Sequence, residues 1–534
     1  MEKPQLRGFI QANFKMRMKK IVFSLILFMA LSFLGMGQNP DYDAILSRLD
    51  RFYEKTQQEW DVPGMSVAIV KNGKIIFSKG YGEKETGKNE RPDGNTLFAI
   101  ASNSKAFTAS MLGQLVEEGR CNWDDKAVKY LPWFRVYDPW VSSEITLRDL
   151  LSHRVGLGTF SGDVIWYKSN LNAREILDRA AFLPASFPFR AGYGYSNLMF
   201  IAAGEVIREI TGKSWYDNVK ERFLLPLEMN RTTINPDRLP DLGNYAIPHA
   251  RMDDRNIPIA YTDWSEIAAM GGLLSSVNEV ANWMIFNMNQ GKWNNRELLK
   301  PSTLNFLWTP HNNHLVNHAS RNEFNNIFSG YGLGWSLRDY HGRLFVGHTG
   351  GYDGMLSAVS MLPDEKLGVV VLTNGMKSPF MAVTYQTIDA FLGKNSDRDW
   401  SAEMLRRTEA REKNDTRISD RIASQVKGTN PSLPLQKYAG TYKSDIYGNI
   451  IVQLINGRLH VELEHSPGLS FYLRHFHYDV FEIEWDEEQA WFRFGTVKFN
   501  TDNYLNITGM DFDVPNDDIF FEELKPRRTD TGVN

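Results

Sequence analysis

The sequence has 534 residues, enough for two to four domains, and 42% hydrophobic with 13% aromatic residues describe an ordinary globular protein. Its formal net charge of −4 gives no bulk basic character, so we expect no nucleic-acid partner. The one cysteine, Cys121, excludes an internal disulfide framework and a cysteine-based metal centre, and no zinc or iron–sulfur ligand spacing is present. We therefore expect neither a metal nor another cofactor.

The N-terminal segment, residues 1–37, has the pattern of a secretory signal peptide. Basic residues at positions 15, 17, 19 and 20 precede an apolar run from Ile21 to Leu34, and Gly35-Met36-Gly37 supplies the small residues of a cleavage site. We expect export to the periplasm or the medium, with no stable membrane anchor after cleavage at Gly37. The alternative is an uncleaved anchor, for which the apolar run is short.

The predicted elements of the first domain, residues 38–396, follow from hydrophobic periodicity and turn residues. In chain order they are a helix over 41–60, a hairpin over 66–79, a helix over 102–120, a mostly helical stretch to about 288, strands at 343–348, 355–361 and 367–372, and a helix over 379–392. Because strands lie at both ends and helices between them, we predict an α+β fold. An antiparallel sheet flanked by helices would carry a helical subdomain.

The rest of the chain changes character twice. Residues 397–430 are charged and low in aromatics, and they close on Gly428-Thr429-Asn430-Pro431. We interpret this segment as a linker, with helical structure left open. Short alternating strands joined by turns such as Asn456-Gly457 then predict an antiparallel β domain over 431–526, a small barrel or sandwich without a catalytic constellation.

The first candidate for chemistry lies at the start of the amphipathic 102–120 helix. Ser102 and Lys105 are three residues apart, which puts both side chains on one helix face with Cβ atoms about 5–6 Å apart. Serine alone is a poor nucleophile and needs a nearby base, such as a lysine of lowered pKa. Free N–H groups at the helix N-terminus favour both a serine alkoxide and a neutral lysine. A second Ser-x-x-Lys, Ser424 to Lys427, lies in a charged stretch with no apolar helix behind it and is interpreted as chance.

Two further segments offer groups that such a pair requires. Tyr195-Ser196-Asn197 falls at a loop-to-helix junction, where residues two apart can point into one cleft and supply a proton carrier and an amide-binding group. Other Tyr-x-Asn copies, at positions 216, 447 and 504, fit core packing, turns or strands better. His348-Thr349-Gly350-Gly351 ends a strand, where backbone N–H groups and glycines allow a substrate to approach. The alternative to a functional site there is a structural histidine at a strand end, with its hydrogen bonds made within the protein.

Together and in this order, the three motifs resemble those of class C β-lactamases and the related DD-carboxypeptidases, D-aminopeptidases and esterases. The resemblance covers about residues 41–392. It is supported by Pro63–Ala68, Leu150–His153, Gly271–Ser275 and Gly347–Tyr352. The region after the linker is loosely similar to the β-barrel domains appended to some of these hydrolases.

The resemblance implies an acyl-enzyme mechanism on a small-molecule or short-peptide substrate. Ser102 would be the nucleophile, Lys105 its proton acceptor, and Tyr195 a base shared with Lys105 and the acid toward the leaving group. Asn197 would bind a substrate amide. The backbone N–H groups of Ser102 and Gly351 would form the oxyanion hole. His348, Thr349 and Gly350 would line the cleft, with His348 and Thr349 contacting a substrate carboxylate or the proton network of Tyr195.

His348 differs from the lysine that stands at the corresponding position of the motif in class C β-lactamases. A histidine carries at most partial charge near neutral pH, so a permanent positive field on a substrate carboxylate is missing. We therefore rank D-amino-acid peptide cleavage, of the DD-carboxypeptidase or D-aminopeptidase type, ahead of esterase activity and class C-like β-lactam hydrolysis. No Ser-Asp-Asn triplet is present, unlike class A enzymes. The alternative from another class is a non-catalytic protein that binds peptidoglycan or peptides.

Overall fold

The computed structural model describes residues 42–529, so the predicted signal peptide lies outside the described residues. The helices are α1 Asp43–Glu59, α2 Ser104–Glu117, α3 Ala127–Tyr130, α4 Pro139–Glu144, α5 Leu147–Leu151, α6 Asp163–Trp166, α7 Ala173–Arg179, α8 Asn197–Thr211, α9 Trp215–Val219, α10 Leu239–Leu242, α11 Ala268–Gly271, α12 Val277–Met288, α13 Pro301–Leu307, α14 His318–Phe324, α15 Phe380–Leu392, α16 Trp400–Asn414 and α17 Arg417–Ala423. No helix in this part of the chain is both long and apolar enough to cross a bilayer.

The strands before residue 400 build the main sheet and three small two-stranded pairs. They are β1 Gly64–Lys71, β2 Lys74–Gly82, β3 Phe98–Ala99, β4 His249–Met252, β5 Arg255–Pro258, β6 Leu274–Ser275, β7 Lys292–Trp293, β8 Arg296–Glu297, β9 Asn312–Asn313, β10 Ser329–Tyr331, β11 Ser336–Tyr340, β12 Arg343–Tyr352, β13 Met355–Leu362 and β14 Leu367–Thr373. The pairs are β3 with β6, β4 with β5, and β7 with β8.

The main sheet joins the two ends of this region. Its eight strands run in the order β2-β1-β14-β13-β12-β11-β10-β9, so the early hairpin pairs with the last strand, Val67 opposite Val371. Every residue of β14 is buried, as a continuous apolar run in the middle of a covered sheet requires. The predicted α+β fold with an antiparallel sheet and flanking helices is confirmed.

Helix α2 lies between the sheet and the helical subdomain, packed against α8, α11 and α13. Phe107 stacks on Trp283 of α12 with ring centroids 3.8 Å apart. The predicted amphipathic character is wrong for most of the helix, because Ser104, Lys105 and Thr108 are as buried as its apolar residues. A helix surrounded on all sides has no solvent face to occupy with polar residues.

The C-terminal strands close into a barrel, so of the two architectures that the sequence left open, barrel and sandwich, the structure shows the barrel. They are β15 Gly440–Ser444, β16 Gly448–Ile455, β17 Arg458–Leu463, β18 Phe471–His477, β19 Val480–Trp485, β20 Thr496–Thr501, β21 Ile507–Asp513 and β22 Arg527–Arg528. Tyr438, Phe481 and Phe499 meet edge to face with centroids 5.0–5.6 Å apart and are buried. Aromatic side chains thus fill this part of the barrel core.

The segment predicted as a linker contains α16 and α17. Trp400, at the start of α16, is fully buried, stacks on Tyr385 at 4.8 Å and donates its indole N–H to Asp389 at 2.7 Å. Helix α16 therefore packs on α15 as part of the first domain. On α17, Arg417 and Arg421 pair with Asp517 and Asp513 of the barrel domain.

The barrel domain also packs against the helical subdomain. Glu523 accepts hydrogen bonds from the Ser161 hydroxyl at 2.6 Å and the Gly162 N–H at 2.7 Å, immediately before α6. Ser466 donates to the carbonyl of Tyr167 at 3.0 Å, just after that helix. These contacts place one end of the barrel beside α6.

Candidate active site

Ser102 lies in a 3-10 turn, Ala101–Asn103, immediately before α2. The preceding residue, Ala101, has a φ of +47°, which is rare for a residue with a side chain. Strand β12 approaches this turn closely, since a Cβ on Gly350 would lie 2.4 Å from the Ile100 carbonyl oxygen. Glycine at 350 therefore lets the end of β12 reach the segment that carries Ser102.

Lys105 is fully buried beneath Ser102. Its Nζ lies 3.0 Å from Ser102 Oγ, 2.7 Å from Asn197 Oδ1 and 2.6 Å from the Met270 carbonyl oxygen. Burial lowers the pKa of Lys105 to about 7, with the charge of Asp163 acting in the opposite direction. In the neutral form the two remaining protons go to the oxygens of Asn197 and Met270, which only accept. The nitrogen lone pair is then left for the Ser102 hydroxyl.

Tyr195 faces the same cleft as Ser102 from the opposite segment, and Lys105 Nζ lies 4.9 Å from the centroid of its ring, so the structure brings together the hydroxyl, amine and phenol that the sequence singled out. Burial raises the pKa of Tyr195 well above its usual value, which keeps the phenol protonated. Its ring packs on His153 with centroids 4.2 Å apart. His153 Nδ1 accepts from the Ser196 backbone N–H at 3.0 Å and so holds the loop before α8.

Asn197 contacts groups of the protein at both ends of its amide. Its Oδ1 accepts from Lys105, and its Nδ2 donates to Asp163 Oδ2 at 2.6 Å. The structure thus gives the residue predicted to bind a substrate amide a second task, orienting Lys105. Burial raises the pKa of Asp163 although Trp166, Asn197 and Lys105 act to lower it. No motif in the sequence marks Asp163 for this position.

His348 lines the cleft as an uncharged side chain. Its Nδ1 donates to the Thr349 carbonyl at 2.6 Å, so its Nε2 is the acceptor for the Tyr331 hydroxyl at 2.9 Å. Burial, followed by the charge of Lys105, lowers its pKa to about 3. The substitution of histidine for lysine therefore removes positive charge from this wall completely at neutral pH.

One cleft collects these groups from three parts of the chain. Its walls include Ser102, Thr159, Phe160, Asp163, Trp166, Tyr167, Tyr193, Tyr195, Asn197, Trp264, Met270, Ser336, His348, Thr349, Gly350, Gly351, Leu356, Phe380, Trp491, Asp518 and Ile519. The predicted residues lie together here, with Lys105 buried behind Ser102. No other lysine and no arginine among residues 42–529 lines this cleft. No group of three or more potential metal ligands is found in the same residues.

The last three wall residues named, Trp491, Asp518 and Ile519, belong to the barrel domain, for which the sequence indicated no site residue. They lie in loops between strands, where the local sequence pattern indicates a turn but gives no sign of a contact with another domain. Only the docking of the barrel beside α6 brings them to the cleft.

Comparison with known proteins agrees with this geometry. The β-lactamase family profile matches residues 49–392, and a domain of unknown function (DUF3471) matches residues 424–528. The Unguisins hydrolase of Aspergillus violaceofuscus is 27% identical over 500 residues, covering 84% of either chain. The protein flp of Staphylococcus aureus is 28% identical over 61% of this chain and 62% of its own.

Solved structures show the same fold. The octameric penicillin-binding protein homologue from Pyrococcus abyssi matches with a TM-score of 0.59 at 20% identity, covering 88% of this chain and 98% of its own. The class C β-lactamase from Rhodobacter sphaeroides matches with a TM-score of 0.52 at 20% identity, covering 64% of this chain and 99% of its own. The resemblance stated from the motifs is confirmed: the chain belongs to the β-lactamase family and is a hydrolase of the β-lactamase fold.

Proposed function

We propose that the chain is an exported serine hydrolase that cleaves amide or ester bonds through an acyl-enzyme on Ser102, with peptides containing D-amino acids as its first substrate class. The observation that carries the proposal is the buried Lys105 amine, 3.0 Å from Ser102 Oγ and with a pKa of about 7. A neutral amine at this distance is a general base for a serine nucleophile.

In the first half-reaction, Ser102 Oγ attacks the carbonyl carbon and its proton passes to the lone pair of Lys105 Nζ. The oxyanion forms beside the end of β12, toward the backbone N–H groups of Ser102 and Gly351. When the tetrahedral intermediate collapses, the bond to the leaving group breaks. Tyr195 donates its phenolic proton to the departing nitrogen or oxygen and recovers a proton from Lys105.

In the second half-reaction, water attacks the acyl-enzyme, the ester bond to Ser102 breaks, and the acid is released. Lys105 takes the proton of the attacking water and passes it to Ser102 Oγ as the ester bond breaks. The raised pKa of Tyr195 favours Lys105 over a phenolate as the first proton acceptor. In this scheme the roles predicted for Lys105 and Tyr195 are divided between a base and an acid.

The substrate ranking rests on the motifs and on the charge of the cleft. The motif resemblance supports D-amino-acid peptides, and the name of the Aspergillus relative supports hydrolysis. His348 is neutral, and among the described residues no arginine or second lysine lines the cleft to hold a carboxylate. This places β-lactams, which carry a carboxylate, behind peptides and esters.

The test is active-site labelling combined with a substrate screen. A fluorescent fluorophosphonate should label the wild type and the Ser424→Ala variant, which loses the serine of the second Ser-x-x-Lys, and should miss Ser102→Ala. Turnover of D-alanine p-nitroanilide, p-nitrophenyl acetate and a chromogenic cephalosporin then ranks the substrates. Equal labelling of Ser102→Ala would discard the nucleophile, and absence of both labelling and turnover would favour the non-catalytic binder.

Export is supported by the basic and apolar pattern of residues 15–37. Cell fractionation of the full-length chain should find the protein outside the cytoplasm with residue 38 at its N-terminus. A variant lacking residues 1–37 should stay inside the cell. Retention of the full-length chain in the cytoplasm would refute the export proposal.

A further inference from the structure

A carboxylate from the barrel domain, Asp518, lines the catalytic cleft. It lies in the loop after β21, and this loop is held by the side chain of Asn516. Asn516 Oδ1 accepts from the backbone N–H groups of Asp518 at 2.9 Å and Ile519 at 2.6 Å, and its Nδ2 donates to the carbonyls of Val514 and Ile519. The backbone around Asp518 is therefore fixed by local hydrogen bonds.

The same loop is attached to the wall of the cleft at its far end. Glu523 bonds Ser161 and Gly162, the two residues before Asp163. Ile519, next to Asp518, is buried and also lines the cleft. Asp518 is thus held at the site by contacts on both sides.

The carboxylate of Asp518 has no hydrogen-bond or ion-pair partner among residues 42–529. Its neighbour Asp517, by contrast, is exposed and pairs with Arg417 at 2.9 Å. Burial, with the charge of Asp517, raises the pKa of Asp518 to about 6, so the group is mostly ionised at neutral pH. A partly buried carboxylate without a partner is an unfavourable arrangement that a bound cation would relieve.

The surroundings favour a cation in a second way. Besides the tyrosines near Ser102 and two phenylalanines, three tryptophans and one further tyrosine line the cleft, namely Trp166, Trp264, Trp491 and Tyr167. The faces of tryptophan and tyrosine rings attract ammonium groups. With His348 uncharged, the cleft offers negative charge and aromatic faces to a substrate, and among the described residues only the Lys105 amine, with a pKa of about 7, supplies any positive charge there.

We propose that Asp518 binds a protonated amine of the substrate, so that the preferred substrates are peptide amides or esters bearing a free ammonium group. This inference rests on the proposed function, because it assigns a substrate class to the same cleft. It favours the aminopeptidase type over the carboxypeptidase type. It also gives the barrel domain a role in selecting the substrate.

The kinetic test compares D-alanine p-nitroanilide with its N-acetyl derivative, which differs by the loss of the ammonium charge. The wild type should prefer the free amine by about tenfold or more in kcat/KM, equivalent to at least one charge-assisted contact. Asp518→Asn should lose this preference, because kcat/KM falls about tenfold more for the free amine than for the N-acetyl substrate. Asp517→Asn, a matched change of the neighbouring exposed aspartate, should behave as the wild type.

A binding experiment keeps the inference separate from the proposed function. Calorimetry with Ser102→Ala should detect D-alanyl-D-alaninamide and not its N-acetyl derivative, and the added Asp518→Asn change should weaken the amine by about tenfold. Failure of wild-type turnover with this binding pattern intact would refute only the hydrolase. Equal binding of the two ligands, or amine binding unchanged in the double variant, would overturn the role of Asp518 whatever the turnover. Thermal melting of each variant confirms that it is folded.

Discussion

Trp491 of the barrel domain lies against Gly351 at the end of β12, so close that a Cβ on Gly351 would approach the indole Cη2 to 2.9 Å. The indole N–H donates to Asp353 at 2.7 Å, which fixes the ring over the strand end. Gly351 carries one of the two N–H groups proposed for the oxyanion hole. The barrel therefore contacts the strand on which the proposed chemistry depends.

This contact predicts a non-additive pair of substitutions. Gly351→Ala should lower kcat/KM by about tenfold or more, because the added methyl must displace either the indole or the strand end. Trp491→Phe shortens the ring and should restore part of the lost rate when combined with Gly351→Ala. Steady-state kinetics of both single variants and the double variant provide the measurement. A double variant impaired by the product of the two single effects would contradict the contact.

The pKa of Lys105 predicts the pH dependence of acylation. Only the neutral amine accepts the Ser102 proton, so kcat/KM should rise about tenfold per pH unit below pH 7 and level off above it. His153 and His348 have lowered pKa values and Tyr195 a raised one, so none of them titrates in this window. A neutral ester substrate avoids a contribution from Asp518. A flat profile between pH 5.5 and 8.5 would be incompatible with Lys105 as the base.

Replacing Asp163 should move that profile. The charge of Asp163 raises the pKa of Lys105 against the effect of burial, so Asp163→Asn should shift the acidic limb to lower pH. Asp518→Asn, measured on the same neutral ester, is the control and should leave the limb in place. An unchanged limb in Asp163→Asn would show that the carboxyl is uncharged in the folded protein. Thermal melting checks that the buried substitution is tolerated.

Tyr195→Phe removes the proposed proton donor while keeping the ring that packs on His153. We expect kcat to fall by about 10²–10⁴-fold, the usual contribution of a positioned acid. Tyr193→Phe is the matched control, since Tyr193 lines the same cleft, and its rate should change little. Substrates with good leaving groups, such as p-nitrophenyl esters, should suffer less than anilides. Equal losses for both substrate types would argue against proton donation to the leaving group.

Much of the catalytic site was predictable from the sequence, because acyl transfer requires particular residue types that here lie close together in the chain. Ser102 and Lys105 share one turn of chain, and the Tyr195 and His348 motifs lie at element boundaries that local patterns reveal. Asp163 and Asp518 were not predictable, since their positions depend on the packing of α6 and the barrel. Trp400 shows the same limit, because it is a buried side chain in a segment that is otherwise mostly charged. Hydrophobic periodicity shows which face of a helix or strand is apolar, but not which other element packs against that face.

The contact between Glu523 and the residues before α6 predicts the last effect. Glu523→Ala leaves the Ser161 hydroxyl and the Gly162 N–H without their acceptor, which should destabilise the protein by about 1–3 kcal/mol in denaturant unfolding. Glu522→Ala, an exposed neighbour, should stay within about 0.5 kcal/mol of the wild type. Because Glu523 also holds the loop of Asp518, its loss should reduce the preference for amine over N-acetyl substrates. A destabilised variant that kept the full preference would show that Asn516 alone fixes Asp518.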